Sequence, residues 1–102
     1  MSEIRAFVRR IAEEFKPRRI ILFGSYAYGK PTDTSDVDLL VEMPICGHPA
    51  RTAARIMIAT DPTFPVDLIV RSPSDVRRRI QLNDWFLRDV ITKGKVLHDA
   101  DR

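Results

Sequence analysis

Residues Leu22 to Glu42 read LFGSYAYGKPTDTSDVDLLVE, which sets a Gly-Ser turn ten residues ahead of an Asp-x-Asp pair inside an apolar strand. Burying an unpaired carboxylate costs several kcal/mol. Asp36 and Asp38, flanked by Val37, Leu39, Leu40 and Val41, therefore require a cation nearby. A third acid, Asp67 in PVDLIV, stands in the same kind of setting, and the three together suggest a divalent metal site.

The rest of the chain supplies helices to pack on such strands. Apolar residues at Ile4, Phe7, Val8, Ile11, Ala12 and Phe15 follow the i, i+3, i+4, i+7 pattern of an amphipathic helix, with Ser2 as its cap and Pro17 just past its end. Arg19 to Phe23 reads as a short strand ending at Gly24, and Ser25 as the N-cap of a short helix that Gly29 stops. The polar run Lys30 to Thr34 is a loop, and Ser35 to Glu42 the second strand. Ala50 to Ala59 reads as a helix with Ala53, Ala54, Met57 and Ile58 on its inner side, ended by Asp61-Pro62. Val66 to Val70 is a third strand. Ser74 is expected to cap a helix through about Gln81, and Asp84 another from Trp85 to Lys93 with Gly94 at its C-terminal cap. Lys95 to His98 reads as a last short strand. Strands alternating with helices over so short a chain imply an α/β (α+β) fold, a small mixed sheet with helices packed on it.

Within a strand, residues i and i+2 share a face. Asp36, Asp38 and Leu40 therefore project one way and Val37, Leu39 and Val41 the other. If the third strand lies beside the second, the Asp67 carboxylate joins the pair. Three like charges at that distance raise one another's pKa, and hard oxygen ligands select Mg²⁺ or Mn²⁺ over softer metals. Gly24, with no side chain, lets a phosphate approach the backbone, and the N–H groups of a helix capped by Ser25 form an anion site. A phosphate cradle beside a carboxylate cluster is the equipment of phosphoryl or nucleotidyl transfer. Each piece alone is weakly diagnostic, because Gly-Ser is commonly a simple cap and D-x-D commonly marks a surface strand. Three acids in the apolar strands of one small domain are not explained that way.

Composition narrows the classes further. The 102 residues are read as a single domain, 1–102, that buries about two-thirds of its unfolded surface. No apolar run reaches the ~20 residues of a membrane span, and MSEIRAFVRR lacks the apolar core of a signal peptide, so a cytoplasmic protein is expected. The single cysteine, Cys46, excludes an internal disulfide and a thiol zinc site; it reads as a small apolar filler. A formal charge of +3 favours acidic partners without choosing among them. The clusters Arg9-Arg10, Lys16 to Arg19 and Arg77 to Arg79 read as solvated faces. His48 and His98 read as surface residues, and Trp85 and Phe86 as core or interface anchors in preference to a base-stacking platform.

The pattern G-S-x10-D-x-D followed by a third Asp in a hydrophobic strand resembles the DNA polymerase β-like nucleotidyltransferase superfamily. The wording GSYAYG and SDVDLLV is similar in particular to its minimal nucleotidyltransferases, the MntA-type antitoxins paired with HEPN ribonuclease toxins. The resemblance runs from about Arg18 to His98, and the closing GKVLH is also similar. It implies the polymerase β-like fold and transfer of AMP from ATP with release of pyrophosphate. It implies that Asp36 and Asp38 hold the metal ions, Mg²⁺ or Mn²⁺, and the triphosphate. Asp67 would hold the catalytic metal and help activate the attacking hydroxyl, while Gly24 and Ser25 contact the phosphates. Many relatives carry Arg where this chain has Tyr28, which removes a triphosphate contact, and many end in Tyr where it has His98.

Two functional classes follow. In one, a Mg-ATP-dependent protein adenylyltransferase acts as an antitoxin by modifying a HEPN toxin, touching nucleic acid only indirectly through it. Here 102 residues leave no room for an acceptor domain, so a second protein is expected to present the hydroxyl. In the other, a binding module neutralises the toxin by occlusion; intact Asp36, Asp38 and Asp67 argue against it and Tyr28 keeps it open. Transfer to a small molecule such as an aminoglycoside is disfavoured by the missing acceptor domain.

Overall fold

The computed structural model describes residues 2–101. Among the described residues, four strands and five helices run α1 (Ser2–Phe15), β1 (Arg19–Phe23), α2 (Ser25–Tyr28), β2 (Val37–Glu42), α3 (Pro49–Thr60), β3 (Val66–Arg71), α4 (Pro73–Gln81), α5 (Trp85–Lys93), β4 (Lys95–Asp99). They form one mixed sheet of order β3-β2-β1-β4, with β1 antiparallel to both β2 and β4 and β2 parallel to β3. A parallel pair needs a crossover long enough to return the chain to the same end of the sheet, and α3 supplies it.

Both faces of β2 are covered, as its unbroken apolar run requires. Val37, Leu39 and Val41 join Ile20 and Leu22 under α1 and α3, where Ile4, Phe7, Val8, Ile11 and Ile56 complete the larger core. Leu40 points the other way with Ile21 and Phe23, beneath Leu87 and Val90 of α5. The alternation expected along this strand is realised from Val37 to Val41, with Asp38 on the α5 side of the sheet, while Asp36 lies just outside the strand.

Several local expectations are corrected. Ser25 does not cap α2: Gly24 occupies the cap position at φ 73°, with no side-chain capping bond, and Ser25 is the first helical residue. β2 begins at Val37 and not at Ser35, because Ser35 is held in a turn by Thr32 through its amide (Ser35 N to Thr32 O, 3.1 Å) and its hydroxyl (Thr32 N to Ser35 Oγ, 2.9 Å). Ser72, not Ser74, caps α4, accepting from the Asp75 amide at 3.1 Å; Pro73 fits the first helical position, where its missing N–H costs nothing. Ser2 is already helical, so the cap of α1 falls outside the described residues.

The inner face of α3 is also rotated from expectation. Thr52, Ile56 and Thr60 are buried and Ala53 and Met57 partly so, while Ala54 is exposed and Ile58 is 80% exposed. Thr60 enters the core because its hydroxyl donates to Ile56 O at 2.7 Å, which removes the penalty of an unpaired buried oxygen. His48 is exposed, as expected of a surface residue, and its Nδ1 also accepts from the Ala50 amide at 3.1 Å and caps α3. His98 is half-buried with Nε2 3.3 Å from the Pro17 carbonyl oxygen. Cys46 is exposed and fills no core. Among the described residues no helix is long and apolar enough to cross a membrane.

The basic clusters are less free than composition suggests. Arg10 donates to Thr60 O at 2.8 Å and ties α1 to the carbonyl end of α3. Arg19 pairs with buried Glu42 at 2.7 Å. Arg78 and Arg79 both bridge Asp75, at 2.8 and 3.0 Å; Arg9 and Arg77 remain exposed.

Candidate active site

Strand direction gathers the candidate residues. β1 runs antiparallel to β2, so its last residue, Phe23, lies opposite Asp38 near the start of β2. β3 runs parallel to β2, so its second residue, Asp67, is the direct neighbour of Asp38. Gly24 follows Phe23, and Asp36 immediately precedes β2. One end of the sheet therefore collects Gly24, Ser25, Asp36, Asp38 and Asp67 from three segments far apart in sequence.

Gly24 and Asp38 fit together more closely than expected. A Cβ added to Gly24 would overlap Asp38 Oδ2, so the space left by the missing side chain holds the carboxylate itself. The positive φ of 73° independently favours glycine. From that turn the chain enters α2, where the Ala27 and Tyr28 amides donate to Gly24 O at 3.0 and 3.2 Å and Gly29 N donates to Ser25 O at 3.0 Å. The earlier amides of a helix have no partner inside it, so those of Ser25 and Tyr26 are not used by α2 itself.

Electrostatics mark the same spot. Burial, followed by the charges of Asp67 and then Asp36, raises the Asp38 carboxyl above its ordinary pKa. Among the described residues, no ion pair or side-chain hydrogen bond engages Asp36, Asp38 or Asp67. Asp38 is half-buried, while Asp36 and Asp67 are exposed. Among the described residues, no three His, Cys, Asp or Glu side chains form a group that could hold a metal ion by themselves. That arrangement still suits Mg²⁺, which is commonly bound by one or two carboxylates with substrate phosphates and waters completing its shell.

Two aromatic residues complete this end of the sheet in a way the sequence reading did not anticipate. Phe23 meets Phe86 edge to face, with ring centroids 5.5 Å apart and planes at 83°. Neither Trp85 nor Phe86 is a core anchor: Trp85 is 82% exposed and Phe86 45%. The buried face of α5 is Leu87 and Val90, and the first two residues of the helix fall off that stripe.

Residues 3–55, just over half of the 102, match the family model described as Nucleotidyltransferase domain. The matched span includes Gly24, Ser25, Asp36 and Asp38 and stops short of Asp67. Curated relatives from Methanocaldococcus jannaschii are named "putative protein adenylyltransferase". MJ1379 is 37% identical over 54 residues, covering 49% of this chain and 54% of its own. MJ1215 is 41% identical over 46 residues, covering 41% and 54%. The chain spans about half the length of these curated relatives; MJ0604 is matched over 93% of this chain and 94% of its own at 29% identity. A crystal structure of a "putative nucleotidyltransferase" from Sulfolobus solfataricus shares the fold, with a TM-score of 0.69 and 20% identity over 99% of this chain and 81% of that one. The motif-bearing half of the molecule and its sheet agree, and the chain belongs to the nucleotidyltransferase domain family.

Proposed function

We propose that this protein transfers AMP from ATP to a hydroxyl on a protein partner, releasing pyrophosphate. The observation that carries the reading is the register of β2 and β3, which sets Asp38 beside Asp67 at the strand end where Gly24 closes on the Asp38 carboxylate. The names of the M. jannaschii relatives support protein as the acceptor class.

In this reading Asp36, Asp38 and Asp67 would hold a divalent cation, Mg²⁺ or Mn²⁺, one or two carboxylates at a time with phosphate oxygens and water completing its shell, and the cation would neutralise the triphosphate and the charge developing on the leaving group. Gly24 and Ser25 turn backbone N–H groups toward phosphate oxygens. Asp67, exposed at the strand start, takes the proton of the attacking hydroxyl. The hydroxyl oxygen bonds to the α-phosphorus as the bond from that phosphorus to its bridging oxygen breaks, and the electron pair departs with pyrophosphate. The exposed positions of Asp36 and Asp67 leave the reacting end of the sheet open to a protein-borne hydroxyl.

The partner we assign is a HEPN ribonuclease toxin, on the resemblance of the GSYAYG and SDVDLLV segments to antitoxins of that pairing. An added AMP places a bulky anion where the toxin must admit RNA, blocking it by charge and bulk. Intact-mass measurement after incubating both proteins with Mg-ATP is expected to show one or more AMP additions on the toxin. Asp36→Asn and Asp38→Asn are expected to abolish them. A toxin silenced without mass change, and silenced equally by both variants, would make the protein an occluding binding module.

A further inference from the structure

We propose that Phe86 is the nucleobase platform of this site, its exposed side stacking on the base of the bound nucleotide. This rests on the nucleotidyl-transfer reading and adds to it the group that receives the base. Phe86 is the second residue of α5, the helix covering the sheet face to which Asp38 belongs. Its neighbour Leu87 is 2% exposed, whereas Phe86 keeps 45% of its surface in water. The ring is fixed all the same, because Phe23 meets it edge to face at 5.5 Å. Phe23 in turn lies directly opposite Asp38 and is bonded to Gly24. Side chains opposite each other in an antiparallel pair have Cβ atoms about 5 Å apart. Phe86 therefore stands one aromatic ring away from the carboxylate that the triphosphate reading requires.

A triphosphate held at Gly24, Ser25 and Asp38 leaves the base one sugar away, and an apolar ring presented to water at that range suits a π-face. Stacking of this kind needs no hydrogen-bond code and tolerates any base, so the site is expected to hold the four nucleoside triphosphates with similar affinity and purines best. The rival aromatic is Tyr28, half exposed at the end of α2. Phe86 is favoured over it because Phe23 holds its ring in place before ligand arrives, which lowers the ordering cost of binding.

Calorimetric titration of Mg-ATP and Mg-tripolyphosphate into wild type, Phe86→Ala, Phe86→Leu, Phe86→Tyr and Tyr28→Ala separates the possibilities. Phe86→Leu retains apolar bulk against Phe23 and removes only the π-face, so a folding defect does not mimic the effect. Loss of stacking is expected to weaken ATP binding by about 5- to 150-fold in Phe86→Ala and Phe86→Leu, with tripolyphosphate binding unchanged and ATP binding kept in Phe86→Tyr. The proposal is overturned if both ligands weaken together, if neither does, or if Tyr28→Ala alone carries the loss. Wild type that binds neither ligand overturns the nucleotidyl-transfer reading itself, and this proposal with it.

Discussion

Gly24 and Asp38 are the pair on which the site turns. A methyl group at 24 would overlap the Asp38 carboxylate, and the backbone there has φ 73°. A non-glycine residue in this positive-φ, extended region costs roughly 1–3 kcal/mol. Gly24→Ala is thus expected to lower stability by at least that amount in urea titration and to abolish Mg-ATP binding by displacing Asp38. The pH response of Asp38 follows from its surroundings. Burial, Asp67 and Asp36 raise its folded pKa, so the folded state holds this proton more tightly than the unfolded one. The ligand-free protein loses that stability as pH rises from the ordinary carboxylate range through the raised value. Asp75 and Asp84 act oppositely: hydrogen bonds from Arg78 and from the Leu87 amide, respectively, lower their pKa values. Their contributions persist above the ordinary range and disappear as pH falls through the lowered values. Thermal melting of ligand-free Asp38→Asn across this range is expected to lose the decline toward neutral pH and keep the acid limb.

At the scale of elements, caps and register decide how well the sequence could be read. Asp84 caps α5 by accepting from the Leu87 amide at 3.0 Å and also meets Arg79 at 3.4 Å. Asp84→Ala removes this cap and is expected to lower the urea midpoint and to weaken nucleotide binding because α5 carries Phe86. This cap was legible, as were all four strands, from alternation and punctuation. The placement of the third strand beside the second was left open by the sequence, and the parallel pairing of β2 with β3 supplies it. The face of α3 was not legible either. Its alanines and Ile58 distribute apolar character around the helix, and the buried stripe runs through Thr52 and Thr60, whose threonines look polar until the Thr60 bond to Ile56 O is known. Ser72 and Ser74 flank Pro73 equally, and only the preference of proline for the first helical position decides between them.

Across the whole molecule, the sheet order β3-β2-β1-β4 sends the end of β1 and the beginnings of β2 and β3 to one place. Spacing along the chain identified the acids, but their assembly depends on this topology. So does the contact of Gly24 with Asp38, since residues 24 and 38 meet only when β1 and β2 pair. The exposure of Trp85 and Phe86 was illegible for a related reason: α5 buries Leu87 and Val90, and which aromatics fall outside that stripe depends on where the helix crosses the sheet. The central claim is that this sheet end is a Mg-nucleotide site, and thermal melting with and without Mg-ATP tests it most directly. A ligand at a hundred times its Kd stabilises the native state by about 2.7 kcal/mol, a shift of about 10 °C or more for a domain of this size. Wild type is predicted to show that rise only with metal and nucleotide together, and Asp38→Asn to lose most of it. An unchanged wild-type melting curve, or an equal rise in Asp38→Asn, would contradict the account.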